Sequence, residues 1–189
     1  SIRFYIVDHV AEDLKAAGRA CLKAFRVRSR FVHLEFFRLT EDHPYLGPKG
    51  QVVGLEVNMR PSGGPTPDMV NFAYSTDCYQ HYADMMVYDK LRHQTKSTPC
   101  FCAYVGRWKE LPYLHSHEEI LTEFSDSLKL AQELPEVLAH GMGNYMYLAR
   151  LETKEKMEEF FHYTLDLKPA EPEKKPVRKT ARRKTQRKS

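Results

Sequence analysis

The chain has 189 residues, 42% of them hydrophobic, which is enough for a domain with a buried core. No apolar run approaches the roughly 18–20 residues that cross a bilayer, so we expect no membrane partner. The opening SIRFYIVDHVAEDL has acidic residues where the apolar part of a secretion signal would lie. Four cysteines without such a signal predict reduced thiols in a cytoplasmic protein.

The formal net charge of +4 combines two regions of opposite sign. Residues 168–189 hold ten Lys/Arg and two Asp/Glu, whereas the rest of the chain holds 19 and 23. This last segment has no aromatic residue and one aliphatic residue larger than Ala, so we predict a disordered basic tail. Such Lys/Arg runs bind phosphate backbones without sequence preference, which makes weak nonspecific nucleic-acid contact the expected role of the tail.

The N-terminal region predicts a strand followed by a helix. Residues 1–7 are apolar and β-branched, as in a strand or an ordered lead-in. From Asp8 to about Arg28, apolar residues recur at intervals of three and four, which predicts an amphipathic helix.

A hairpin is predicted next, with strands at 30–39 and 52–59. The loop at 40–51 contains two prolines and two glycines. After an irregular turn, residues 66–88 predict a helix in two pieces, beginning at Thr66 or Asp68.

The second half predicts two strands and two helices. The strands are residues 101–107 and 145–151, the second of them preceded by a turn at 141–144. Ser116 resembles a capping residue for a helix running to about Leu130, and Thr153 begins a closing helix through about Leu167. These elements together indicate an α+β fold in which helices pack on an antiparallel sheet.

The most informative residues lie on the predicted hairpin. Glu35 stands among apolar neighbours on the first strand, and Glu56, Asn58 and Arg60 alternate along the second. Alternation predicts that these last three residues share one face of the sheet. A solvated face with surface ion pairs is the ordinary alternative. However, an unpaired carboxylate among apolar residues is costly, which favours a functional role for Glu35.

This set of side chains suits Mg²⁺, which prefers oxygen ligands and often binds one or two carboxylates plus substrate phosphates. Arg60 would hold a carboxylate or phosphate through parallel hydrogen bonds. The backbone N–H groups around Ser62, Gly63 and Gly64 would cradle an anion.

The segments HLEFF (33–37) and GLEVNMRPSGG (54–64) resemble the metal-binding end of ATP-grasp ligases such as biotin carboxylase, carbamoyl phosphate synthase and carboxylate–amine ligases. The resemblance implies the C-terminal half of an ATP-grasp fold. It implies Glu35, Glu56 and Asn58 as ligands of Mg²⁺, with Mn²⁺ as an alternative. It further implies Arg60 as the residue that contacts the reacting group, and Ser62, Gly63 and Gly64 as ATP-binding residues.

The resemblance also implies a reaction. ATP converts a small-molecule carboxylate into an acyl phosphate, and an amine or a similar nucleophile then displaces phosphate. The family's nucleotide-clamping lysines and glycine-rich flap have no counterpart in this sequence, and the chain begins with Ser. We therefore expect a missing N-terminal subdomain, without which the fragment is inactive.

The resemblance divides the chain into three parts: an ATP-grasp C-terminal subdomain at 1–98, a C-terminal extension at 99–167 and the tail at 168–189. Two alternatives compete with the ligase. One is a non-catalytic interaction domain with a nucleic-acid-binding tail. The other concerns metal chemistry: Cys100 and Cys102 with His115 and His117 would make a zinc site, although their spacing matches no common zinc pattern.

Overall fold

The computed structural model describes residues 2–93 and 97–169. The predicted disordered tail, apart from residues 168 and 169, lies outside this range. The described chain forms six strands and six helices. The strands are β1 (Ile2–Ile6), β2 (His33–Arg38), β3 (Val52–Asn58), β4 (Phe101–Arg107), β5 (Leu128–Glu133) and β6 (Tyr145–Leu151). The helices are α1 (Glu12–Ala24), α2 (Thr66–Tyr74), α3 (Cys78–Tyr88), α4 (His117–Glu123), α5 (Glu136–Met142) and α6 (Lys154–Leu165).

Four strands form one antiparallel sheet in the order β1-β4-β6-β5, and β2 pairs with β3 in a separate antiparallel hairpin. The predicted α+β class is therefore confirmed. β1 pairs with β4 over its whole length, so the predicted division near residue 98 does not separate the strands of this sheet. That division stays a prediction about domains.

Helices cover both faces of the four-stranded sheet. On one face Val105 and Tyr147 pack with Ile120 of α4 and Phe160 of α6. On the other face the alternating residues of β4 and β6 pack against α2, through side chains that include Cys102, Tyr104, Leu148, Met69 and Ala73. Because both faces are buried, β4 and β6 have apolar residues at consecutive positions rather than an alternating pattern.

The capping box predicted at Ser116 is confirmed, because Ser116 Oγ accepts from Glu119 N and Glu119 Oε2 accepts from Ser116 N. The length predicted for this helix is wrong. It ends at Glu123, and Leu128–Glu133 pairs with β6 as an edge strand. Here the hydrogen bonds and packing offered by the sheet outweigh a local helical pattern. Helix α5 falls in a stretch for which the sequence indicated no element.

Helix α1 is shorter than predicted, beginning at Glu12 rather than Asp8. The division of residues 66–88 into two helices is confirmed, with Asp77 accepting from Tyr79 N and Gln80 N at the start of α3. In the part of the chain that the structure describes, no helix has both the length and the apolar character needed to cross a bilayer.

Truncation of a core aromatic tests this architecture. Phe160 is fully buried and makes an edge-to-face contact with Phe124 at 5.0 Å between ring centroids. Phe160→Ala is expected to lower the free energy of unfolding by about 3–5 kcal/mol, because it leaves a cavity between α6 and the sheet. The matched control, Phe37→Ala at a residue that is 58% exposed, is expected to cost less than about 1 kcal/mol in the same urea titration. Equal losses would contradict the assignment of the core.

One buried carboxylate fixes the end of α3. Asp84 is 1% exposed, and its oxygens accept from Gln80 Nε2 at 2.9 Å and from Arg92 N at 3.0 Å. Burial alone would raise the pKa of Asp84. The hydrogen bonds from Arg92, Gln80 and His93 outweigh burial and hold this pKa below its ordinary value of 3.8.

The depressed pKa sets the sign of a pH effect. Below about pH 4 the unfolded chain binds a proton at Asp84 that the folded chain does not, so stability falls as pH falls toward the folded pKa. Urea midpoints measured from pH 7 downward should show wild type losing its advantage over Asp84→Asn below about pH 4. A constant difference between the two proteins across this range would contradict the assignment.

Candidate functional site

The β2–β3 register brings the predicted metal ligands together. Glu35 lies directly opposite Glu56, and His33 lies opposite Asn58 in a neighbouring pair. Beyond Glu35 the register shifts, since Phe36 pairs with Gly54 and leaves Leu55 as an extra residue in a bulge. The four polar residues therefore share one face of the hairpin.

The opposite face of the hairpin is the apolar one, and α1 covers it. Leu34 and Val57 pair on this face, and a Cβ built at Gly18 of α1 would lie 3.8 Å from Leu34 Cδ1. A forked ion pair joins Arg38 of β2 to Asp13 of α1 at 2.7 and 3.0 Å. Helix α1 thus determines which face is buried and leaves the acidic face uncovered by it.

Two like charges face each other across the hairpin. Directly opposed residues in an antiparallel pair have Cβ atoms about 4.5–5.5 Å apart, and like charges at such positions are destabilising. Within the described residues, neither Glu35 nor Glu56 has a Lys or Arg nitrogen within 4.0 Å. The basic group closest to either carboxylate is His33, whose Nε2 lies 3.7 Å from Glu35 Oε1. This arrangement fits a bound cation better than a surface ion pair.

The neighbouring pair leaves two buried nitrogen atoms without hydrogen-bond partners in the described structure. They are His33 Nδ1 and Asn58 Nδ2. Unsatisfied buried polar atoms are unfavourable and commonly mark functional sites. The amide of Asn58 is therefore not committed to the protein around it, and its oxygen is available as a ligand.

Arg60 and the glycine-rich turn continue from the hairpin. β3 ends at Asn58, so Arg60 lies outside the strand in which alternation placed it. Arg60 is exposed, and its Nη1 donates to the carbonyl of Pro61 at 3.0 Å. Gly64 has a φ of +58°, which favours glycine, and a Cβ at this position would meet nothing within 4 Å. The turn with Ser62 and Gly63 is therefore open around its backbone and leads directly into α2.

The ligand chemistry fits Mg²⁺ when other groups complete its shell. Among residues 2–93 and 97–169, no group of three or more His, Cys, Asp or Glu side chains is placed to hold a metal. Glu35, Glu56 and Asn58 offer two carboxylates and an amide, which suits an ion that keeps waters and takes phosphate oxygens.

The zinc alternative does not survive the fold. Cys102 packs on the face of the sheet covered by α2, whereas His117 Nδ1 is hydrogen-bonded at 2.8 Å to the hydroxyl of Tyr147, on the opposite face. The sheet therefore separates the cysteines from this histidine.

Beside Arg60 lie two adjoining cavities that the sequence did not indicate, of about 360 Å³ and 180 Å³. They share Phe31, Pro61 and Tyr82. The exposed pair Tyr79 and Tyr82, three residues apart on α3, was a signal that could have indicated them.

No family model matches this sequence, and no curated protein matches it at a significant level. The structure is similar to the crystal structure of phosphoribosylglycinamide synthetase from Anaerococcus prevotii, an ATP-grasp ligase, with a TM-score of 0.54 and 14% sequence identity. The match covers 87% of this chain and 43% of that chain, so the chain spans less than half the length of its structural neighbour. At this identity the similarity supports the expected fold.

The opposed carboxylates generate a stability prediction. Glu56→Gln removes one of two like charges, so in metal-free buffer it should leave stability unchanged or raise it by up to about 1 kcal/mol. Urea unfolding in EDTA would measure this change, with Glu41→Gln in the exposed hairpin loop as the matched control. A loss of more than about 1 kcal/mol on Glu56→Gln would instead give Glu56 a structural role.

Proposed function

We propose that the chain is the metal-binding part of an ATP-dependent ligase of the ATP-grasp type. The observation that carries the proposal is Glu35 opposite Glu56, with Asn58 beside them and no Lys or Arg neutralising either carboxylate in the described structure. The similarity of fold to phosphoribosylglycinamide synthetase supports it, as does the turn that follows the hairpin.

Each residue in this proposal has a distinct role. Glu35, Glu56 and Asn58 hold Mg²⁺, or Mn²⁺ as an alternative, through oxygen atoms. When bound, the ion supplies neutralisation of the charge on the phosphate groups of ATP. The N–H groups of the turn at 62–64 donate to phosphate oxygens.

Arg60 binds and orients the reacting carboxylate. Its Nη1 already donates to Pro61 O, which fixes the guanidinium while leaving its other N–H donors for an anion. A guanidinium beside a carboxylate also stabilises negative charge that develops there during acyl transfer. The substrates are a small-molecule carboxylate and an amine.

A further part of the enzyme completes the nucleotide site in this proposal. The chain spans 43% of its structural neighbour, and the hairpin offers ligands for the metal but few groups that would enclose a nucleotide. Ligase activity is therefore expected only when a preceding subdomain is present.

Isothermal titration of Mg-ATP into the purified chain tests the metal site. Glu56→Gln should weaken binding by about tenfold or more, which corresponds to about 1.4 kcal/mol, because a charged ligand of the ion is lost. Glu41→Gln, which removes an acidic residue from the exposed loop, should bind like wild type. Equal affinity in wild type and Glu56→Gln would contradict the metal site on this hairpin.

A further inference from the structure

The two cavities beside Arg60 lie where the hairpin meets α2 and α3. The larger one, of about 360 Å³, is lined by Val70 of α2 and by Cys78, Tyr79 and Tyr82 of α3. Ligand pockets for small molecules occupy about 300–1,000 Å³, so its size suits a compact ligand.

The walls of the larger cavity are mainly apolar. Phe31 and Tyr82 meet edge to face, with ring centroids 5.6 Å apart. The hydroxyl of Tyr79 donates to Asp68 Oδ1 at 2.9 Å, so its polar end is already satisfied. Tyr79 and Tyr82 remain 56% and 41% exposed, which leaves aromatic surface available to an apolar group.

The smaller cavity is cationic. It is lined by Arg30 and Arg60, together with Met59 and Met85. Within the described residues neither arginine is ion-paired with a carboxylate, although Arg38 and Lys109 elsewhere in the chain are. Two uncompensated guanidinium groups on one cavity favour an anion.

We propose that the adjoining cavities bind the carboxylate substrate of the ligase, and that this substrate has an apolar aliphatic or aromatic body. Its carboxylate lies between Arg30 and Arg60, and its body occupies the larger cavity against Val70 and Tyr79. This inference rests on the proposed function, since the same Arg60 belongs to both.

The position of the cavities agrees with that chemistry. Arg60 is two residues from Asn58, so their Cα atoms lie within about 7 Å of each other along the chain. A carboxylate held by Arg60 is therefore close to the oxygen ligands of the metal row. The apolar body extends away from that row, toward α2 and α3.

Protection of Cys78 from alkylation tests the proposal on the full 189-residue chain, because Cys78 lines the larger cavity. The probe is 3-phenylpropionate, the reagent is iodoacetamide, and peptide mass spectrometry reads Cys78 against Cys21 as an internal reference. At ten times the dissociation constant the probe should slow alkylation of Cys78 by roughly tenfold and leave Cys21 unchanged, since only unliganded protein reacts.

Two matched probes separate the parts of the cavity. Propionate lacks the ring and 3-phenylpropanol lacks the charge, so each should protect Cys78 far less than 3-phenylpropionate. Protection by 3-phenylpropanol equal to that by 3-phenylpropionate would overturn the role of the arginines. Absence of protection by any probe would overturn the whole inference, as would alkylation that depends on protein concentration alone, which indicates a second copy on this surface.

Substitutions locate the probe. Arg60→Met should weaken protection by roughly tenfold or more, whereas Arg19→Met, at an exposed arginine of α1, should not. Val70→Phe should fill the larger cavity and abolish protection, and Val70→Ala should retain it. If Val70→Phe does not fold by circular dichroism, Ser62→Phe fills the cavity from the turn. Undiminished protection in a folded, filled variant would overturn the proposal.

The Mg-ATP titration separates the two levels of failure. Retained binding of Mg-ATP by wild type, lost in Glu56→Gln, together with no protection of Cys78, would overturn only the substrate inference.

Discussion

The pairing of β2 with β3 is the constraint on which the rest of the site depends. A shift of one residue would turn Glu35 toward α1 and place Leu34 on the opposite face, because side chains alternate along a strand. Helix α1 resists that shift, since Arg38 is ion-paired with Asp13 and Leu34 lies against Gly18. The bulge at Leu55 adds a second restraint on register.

The buried sheet gives this hairpin its support. β4 and β6 are covered on both faces, and α2 packs on β4 immediately after the turn that follows Arg60. A site held by such elements keeps its side chains in place better than one on a free loop. The like charges at Glu35 and Glu56 are thus maintained by packing elsewhere, at a local cost in stability.

Much of this fold could be predicted from local signals. The capping residues Ser116 and Thr153 mark helix starts directly, and the alternation around Glu56 indicates a strand. Strand β5 could not be predicted in this way, because Leu128 and Leu130 acquire their strand conformation from pairing with β6. An edge strand of six residues carries too short a pattern to distinguish from the end of a helix.

The cavity residues show the same limit for the site. Glu35 and Glu56 carry charges in an unusual setting, which a sequence reveals. Phe31 and Tyr79 are ordinary aromatic residues separated by 48 positions, and nothing local indicates that they face one space. The fold that joins them depends on α1, on the hairpin and on the break between α2 and α3.

The pairing of Ile6 with Cys102 has a consequence for how the chain is assembled. Residues 7–101 leave the sheet and return to it at adjacent points, so the hairpin and its helices form a long excursion between two neighbouring strands. Closing a loop of this length carries a conformational-entropy cost that grows only slowly with loop size. The sheet can therefore accept insertions within the excursion without losing its own connectivity. During synthesis, however, β1 must wait for nearly a hundred residues before its partner strand exists, and contacts of such long range slow folding.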